Sequence, residues 1–192
     1  ARDLRASPEV AVDVALALVA QNNHDSRQVA YELLGALPPA RDALTVEELE
    51  GLARGNDNWA AVDCFCSTLS GPQYSAGILA PGVLERWAVS ADPWTRRTAL
   101  ATIATAFQRA GLRERSPVEP SLRVFRLLVD DRHDHVVKAL SWALRNLISR
   151  NRAAVERFVA QFGGRLAALV RREVRAKLAT GRKNPGRGTD SV

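Results

Sequence analysis

The sequence is poor in the residues that build metal centres and disulfide bonds. Its 192 residues include no methionine, two cysteines and three histidines. Cys64 and Cys66 are two positions apart, so on a helix they point in different directions and can neither share a metal ion nor bond to each other. The histidines show no zinc-type spacing with them. We therefore expect no metal, cofactor or disulfide, and burial of at least one cysteine among apolar side chains.

Long apolar runs and alternating apolar–polar stretches are absent as well. No run approaches the length needed to span a bilayer, and the first residues do not resemble a signal peptide. We therefore expect a cytoplasmic, nucleoid-associated protein with no membrane partner. No segment shows the sustained alternation of a half-buried β-strand. Alanine and leucine dominate instead, and both favour helix.

Apolar residues recur at helical spacing along most of the chain. We expect a stop at Pro38-Pro39, a break at Gly71-Pro72 with Gly77, and a turn over 111–117. The predicted helices lie near 8–20, 26–36, 45–54, 57–70, 79–90, 93–110, 120–130, 133–150, 152–162 and 164–180.

A helix-opening signal recurs along the chain. The segments 56–59, 91–94 and 131–134 each place Asp or Asn where a helix N-cap belongs, at intervals of 35 and about 40 residues. Two helices per period of this length are typical of HEAT-like or armadillo-like repeats. We predict an all-α helical repeat solenoid, with one domain over 1–180 and a basic, disordered tail over 181–192. An irregular helical bundle is the alternative.

Positive charge is concentrated at the end of the chain. The net charge is +6, and arginine outnumbers lysine 24 to 3. Residues 163–192 hold eight basic and two acidic side chains, a balance of +6, so the rest of the chain is net neutral. This concentration favours a polyanionic partner. The alternative is a solvated helix face in a protein from a high-GC, arginine-preferring genome.

In HEAT-like arrays the second helix of each pair tends to line the concave face. On two of the helices expected there, tryptophan accompanies charged residues. Trp59 and Asp63 are four positions apart, so they share one helix face. Trp94 is followed by the adjacent pair Arg96 and Arg97. Each residue has a plainer interpretation. Taken singly, a place in the core accounts for Trp59, an ion pair with a neighbouring arginine for Asp63, and a salt bridge between repeats for Arg97.

A third helix repeats this combination. Lys138, Trp142 and Arg145 occupy positions i, i+4 and i+7, which again form one face. Trp142 interrupts an otherwise small, aliphatic pattern, although a core position would also account for it. Aromatic and charged residues therefore recur together in separate repeats.

In order, the patterns W-x-x-x-D, W-x-x-R and W-A-L-R, followed by the helix at 153–158, resemble the AlkD-type DNA alkylation repair glycosylases. The segments 29–34 and 170–175 are also similar to that family, and the resemblance spans roughly residues 15–180. It implies a monomer of HEAT-like repeats that binds double-stranded DNA with alkylated bases. Ser141 departs from the family, which often has glycine there.

The resemblance also implies roles for individual residues. Asp63 corresponds to the catalytic aspartate, and Trp59 and Trp142 to the tryptophans that flank the lesion. Arg97 corresponds to a phosphate-binding arginine, and Arg145 to another DNA-contacting arginine. The remaining DNA contacts that we expect are Arg96, Lys138, Arg171, Arg172 and Arg175.

The activity implied is hydrolysis of the N-glycosidic bond of cationic N3- and N7-alkylpurines, on an open concave surface rather than in a deep pocket. No lysine is an evident Schiff-base nucleophile, so strand nicking is not expected. Two alternatives remain, a non-catalytic DNA-binding repeat protein and a protein–protein adaptor. The carboxylate of Asp63 favours the enzyme, because phosphate binding does not require it and a carboxylate repels the DNA backbone.

Overall fold

The computed structural model describes residues 7–184, and within that range it contains helices, turns and bends but no strand. A π-helical segment, Cys66–Ser70, lies between two of the α-helices. The α-helices are α1 (Pro8–Ala20), α2 (His24–Gly35), α3 (Pro38–Ala43), α4 (Val46–Ala53), α5 (Trp59–Phe65), α6 (Gly71–Ala76), α7 (Pro81–Ala88), α8 (Pro93–Gln108), α9 (Ala110–Arg113), α10 (Val118–Leu127), α11 (Asp134–Phe162) and α12 (Ala168–Thr180).

The helices stack in two layers that follow the chain in order. In the inner layer α2 packs on α5, α5 on α8, α8 on α11, and α11 on α12. In the outer layer α1 packs on α4, and α7 on α10. Outer and inner helices also pack on each other, as α1 does on α2, α7 on α8 and α10 on α11. The predicted all-α helical repeat solenoid is therefore confirmed.

Ion pairs join equivalent positions of successive repeats. The paired residues are separated by 35 to 38 positions, which agrees with the predicted period of 35–40. The pairs are Glu50 with Arg86, Glu85 with Arg123, Arg96 with Asp131, and Asp130 with Arg165.

Proline and glycine interrupt the helices less than predicted. The helix predicted near 26–36 ends at Gly35, ahead of Pro38-Pro39 as expected. Pro38 then starts the additional short helix α3, because the first helical turn does not need the missing N–H. The break predicted at Gly71-Pro72 is wrong. The helical path continues through the π-helical segment, which places Pro72 in the first turn of α6. The chain turns only at Gly77, whose φ is +77°.

The structure also differs from the predicted helix boundaries at two places later in the chain. The short helix α9 begins just before the turn expected over 111–117 and occupies its first three residues. The predicted division near residue 151 exists as a kink within α11, where Asn151 has φ −152° and ψ 81°. The Asn151 Oδ1 atom accepts a hydrogen bond from the Ala154 backbone N–H at 3.0 Å and so caps the second half of α11.

The chain leaves α12 at Gly181, in the left-handed conformation. Of the tail predicted to be disordered, residues 185–192 lie outside the described range. None of the described helices combines the length and the apolar composition that crossing a bilayer requires.

Cys66 lies in the core between the inner helices, as expected for one of the cysteines. Its side chain is fully buried, and this burial raises the pKa of the thiol to about 12. The Cys66 Sγ atom donates to the Thr98 carbonyl at 3.6 Å, which joins the π-helical segment to α8. Cys64 is partly exposed, and both cysteines are free thiols.

Gly71 is required where the π-helical segment meets α8. An added Cβ would lie 2.6 Å from the Cys66 carbonyl oxygen and would also clash with the Thr105 Oγ1 atom. Gly71→Ala should therefore lower the free energy of unfolding by about 1–3 kcal/mol, as overpacking does. Gly82→Ala is the matched control, since nothing lies within 4 Å of a Cβ at that helical position. Urea unfolding measures both variants, and equal stability for the two would contradict the packing argument.

Candidate functional site

A depression lies on the inner layer where α5, α8 and α11 meet. It has a volume of about 370 Å³. We call it the tryptophan depression, and its lining residues are Trp59, Arg97, His135, Lys138 and Trp142. Residues from three separate sequence motifs therefore meet at one surface.

The start of α5 determines how Trp59 is presented. The Asn58 side chain accepts a hydrogen bond from the Ala61 backbone N–H at 2.9 Å, so the helix begins at Trp59. Trp59 is 60% exposed, which excludes the core position considered from sequence. Asp63 follows one turn later on the same face.

Asp63 is joined to Arg97 by a short ion pair. The Arg97 Nη2 atom donates to the Asp63 Oδ1 atom at 2.6 Å, and Arg97 Nη1 donates to the His135 carbonyl oxygen at 2.9 Å. The side chain of Arg97 is only 6% exposed, whereas that of Asp63 remains 28% exposed. One guanidinium therefore connects α5, α8 and α11 and leaves part of the carboxylate open to solvent.

Opposing effects act on the Asp63 carboxyl group. Burial raises its pKa, whereas the charge of Arg97 and the hydrogen bond from Arg97 lower it, and burial is the largest effect. The result is a pKa above the ordinary aspartate value of 3.8. Arg97 stabilises the ionised form in a position where desolvation opposes ionisation.

The other lining residues differ in their freedom to move. Trp142 is half-buried and packs against the core. The Lys138 Nζ atom lies 2.6 Å from Asp134, one turn away, and 54% of its side chain is exposed. Trp94 lies behind the depression. Its ring centroid is 4.5 Å from that of His135, at 30° between the ring planes.

The structure gives Arg96 a different environment from Arg97. The Arg96 Nε atom donates to Asp131 at 2.7 Å, and Nη1 donates to the carbonyl oxygens of Ser90 and Ala91. Neither Arg96 nor Asp63 is among the residues lining the tryptophan depression, but Asp63 is joined to that lining through Arg97. Its guanidinium connects the loops before α8 and α11, so these contacts compete with the DNA contact expected from sequence.

Arg145 is also engaged within the protein. Its Nε atom lies 3.3 Å from the Ser141 Oγ atom and 3.5 Å from the carboxylate of Glu173, which is buried. Burial lowers the pKa of Arg145, and the charge of Glu173 opposes this. The Ser141 hydroxyl donates to Glu173 at 2.7 Å. The serine that departs from the family pattern thus connects α11 to α12.

The expected basic residues on α12 divide into two kinds. Arg171 donates to the Leu166 carbonyl oxygen at 2.7 Å, ahead of the helix. Arg172 and Arg175 are exposed, and neither forms an ion pair with any residue in 7–184. These two arginines can meet a phosphate without breaking an ion pair of the described chain.

Sequence reasoning missed His135, which both lines the depression and accepts from Arg97 through its carbonyl oxygen. Its spacing offered a signal. His135 precedes Lys138 by three positions and Trp142 by seven, which puts all three on one helix face. Among residues 7–184, no group of three or more His, Cys, Asp or Glu side chains is arranged to hold a metal ion.

Comparison with known proteins identifies the family. A protein-family model described as DNA alkylation repair enzyme matches residues 1–178, and the chain belongs to this family. The resemblance drawn from the tryptophan motifs is thereby confirmed. No curated protein and no solved structure matches the chain. The family implies DNA as the partner and alkylation repair as the enzymatic role.

The Asp63 carboxyl group should titrate above pH 3.8, whereas Asp130, which accepts a hydrogen bond from Arg165, should titrate below it. Arg97→Gln should raise the Asp63 pKa further, because it removes both effects that lower it. Because the Asp63 pKa is higher in the native state than in the unfolded chain, the native state binds the Asp63 proton more tightly. The contribution of Asp63 to the free energy of unfolding therefore becomes more favourable as the pH falls through its native pKa. Carboxyl ¹³C NMR measures the titrations. An Asp63 pKa at or below that of Asp130 would contradict the burial argument.

Proposed function

We propose that this protein is a DNA glycosylase that hydrolyses the N-glycosidic bond of cationic N3- and N7-alkylated purines in duplex DNA. The observation that carries the proposal is the partly exposed carboxylate of Asp63, held by Arg97 beside an exposed tryptophan. The ion pair with Arg97 accounts for a carboxylate at this position, but a surface that only binds phosphates gains nothing from leaving part of it exposed, because it repels the DNA backbone.

The chemistry suits a carboxylate without a strong general acid. An alkylated purine already carries a positive charge, so it leaves without first being protonated. Positive charge then develops on the sugar, as in other glycoside hydrolysis. The Asp63 carboxylate stabilises that charge and orients the attacking water.

The two tryptophans supply the binding surface for the lesion nucleotide. In this proposal the exposed ring of Trp59 and the half-buried ring of Trp142 flank the nucleotide. Ring faces attract cations, and a cationic alkylpurine benefits from that attraction more than an ordinary base does. This difference favours damaged over undamaged DNA.

Arg97 serves primarily to hold Asp63 in this mechanism. Both of its terminal nitrogen atoms already donate within the protein, one to Asp63 and one to His135. The phosphate contact implied by the family resemblance would require Arg97 to share or exchange one of these bonds. Holding Asp63 ionised and in place requires no such exchange of hydrogen bonds.

Lys138 contributes a phosphate contact rather than covalent catalysis. Its amine is exposed and paired with Asp134, whereas Schiff-base lysines are desolvated or placed next to another cation. The enzyme is therefore expected to be monofunctional. Borohydride should not trap a covalent complex between protein and DNA.

Release of 7-methylguanine from duplex DNA tests the activity. Asp63→Asn should slow release by about 10²- to 10³-fold, the usual effect of removing one preorganised electrostatic group. Asp130→Asn, which alters an exposed carboxylate in a loop, is the matched control and should leave release unchanged. The wild-type rate should also fall as the pH decreases through the Asp63 pKa.

Two results would count against this proposal in different ways. Absence of base release by the wild type, with DNA binding retained, would favour the alternative of a non-catalytic DNA-binding protein. Full activity of Asp63→Asn would leave a glycosylase but remove Asp63 from its mechanism.

The salt dependence of DNA binding tests the role of α12. Replacing Arg172 and Arg175 together with glutamine should reduce the slope of log K against log salt by about 0.9 for each phosphate that the variant no longer neutralises. Arg126→Gln is the control, because Arg126 lies in the outer layer and pairs with Glu119. Equal slopes for all three proteins would exclude α12 from the DNA-binding surface.

A further inference from the structure

The imidazole ring of His135 lines the tryptophan depression but has no role in the proposed mechanism. His135 lies in the first turn of α11, is partly exposed, and shares the lining with Lys138 and Trp142. Its carbonyl oxygen accepts from Arg97, but neither of its ring nitrogen atoms is hydrogen-bonded to any residue in 7–184. The ring therefore brings an unused hydrogen-bonding group to the place where DNA is expected.

This ring is held in place from two sides. Its centroid lies 4.5 Å from that of the Trp94 ring, with 30° between the ring planes. The backbone of the same residue is fixed by the hydrogen bond of 2.9 Å from Arg97 to its carbonyl oxygen. A ring that packs through its face keeps its edge, where the imidazole nitrogen atoms lie, free for hydrogen bonds. The imidazole of His135 is thus oriented before any ligand binds.

The charged groups at the depression are already paired within the protein. Both terminal nitrogen atoms of Arg97 donate, one to Asp63 and one to the His135 carbonyl oxygen. Lys138 is paired with Asp134, and both of these side chains are more than half exposed. An exposed pair contributes little to stability, so Lys138 can exchange Asp134 for a phosphate. Arg97 would instead have to give up a buried hydrogen bond, whereas His135 has no bond to its ring to give up.

The position of the ring on α11 favours an anionic partner. Backbone N–H groups without helical partners and the helix dipole both favour negative charge at the first turn of a long helix. His135 precedes Trp142 by seven positions, about 10 Å along the helix axis, and Lys138 lies between them on the same face. A nucleotide that packs against Trp142 would therefore bring a neighbouring phosphate to Lys138 and His135.

We propose that His135 binds a phosphate of the DNA backbone beside the lesion nucleotide, by donating an imidazole N–H to it. One ring nitrogen carries a hydrogen atom in either neutral tautomer, and both do in the protonated ring. Contacts of this kind fix the register and orientation of a protein on the duplex. The inference rests on the proposed function in placing DNA over the tryptophan depression, but it does not depend on base release.

Binding to a duplex that contains one tetrahydrofuran abasic-site analogue tests this contact, because the analogue has no base to release. His135→Phe keeps an aromatic ring against Trp94 and removes both ring nitrogen atoms. It should weaken binding about tenfold, as expected for loss of one hydrogen bond to a charged group. His133→Phe is the matched control, since His133 is exposed and does not line the depression. Fluorescence anisotropy at one fixed salt concentration measures all three proteins, and the control should bind as the wild type does.

A series of duplexes, each with one phosphate near the analogue replaced by an uncharged methylphosphonate, identifies the partner of His135. At one position the replacement should weaken wild-type binding about tenfold but hardly change binding by His135→Phe, because that variant has already lost the contact. A role of the ring in folding alone would not produce this dependence on a single phosphate. His135→Ala is measured with the same series if circular dichroism shows that His135→Phe does not fold.

Three outcomes overturn the proposal. The first is that the wild type does not bind the duplex, or that His135→Phe binds as tightly as the wild type. The second is an equal loss in His133→Phe, which would assign the effect to the start of α11 in general. The third is that every methylphosphonate weakens the variant as much as the wild type, which would leave the ring only a packing role. A wild type that shows the single-phosphate dependence but releases no 7-methylguanine would contradict the glycosylase proposal alone.

Discussion

One buried guanidinium connects the three inner helices around the proposed site. Arg97 extends from α8, donates to Asp63 on α5 and donates to the backbone of His135 on α11. Removing one partner of a buried ion pair typically costs about 3–5 kcal/mol, because it leaves a charge that is desolvated and unpaired. The relative position of these helices and the orientation of the carboxylate therefore depend on the same contact.

Several other arginines also join neighbouring helices or repeats. Arg96 joins two loops, Arg145 joins α11 to the buried Glu173, and Arg165 pairs with Asp130 of the preceding repeat. The planar guanidinium forms several directed hydrogen bonds at once, which suits contacts between successive repeats. A basic composition thus overstates how much positive charge is available to DNA. Exposed arginines that form no ion pair within residues 7–184, such as Arg172 and Arg175, are the better guide to the binding surface.

Features that depend on neighbouring residues in the chain were predictable. The all-α class and the period of the repeats follow from local spacing, and Trp59 and Asp63 share a face because they are one helical turn apart. Gly71-Pro72 misled the prediction, because the π-helical segment before it absorbs the proline without ending the helix. Nothing local to residues 71 and 72 signals that segment. It is stabilised by contacts with Thr102 and Thr105 on α8.

The sequence by itself determined the solenoid and the residue types that reach its inner layer, because helix formation and side-chain facing are set by residues within a few positions of one another. Only the tertiary structure decided which charges neutralise each other. Asp63 and Arg97 are 34 positions apart, and Arg145 and Glu173 are 28 apart. Stacking of the repeats brings such residues together. It thereby determines which arginines form ion pairs within the protein and which exposed arginines of residues 7–184 remain available to a partner.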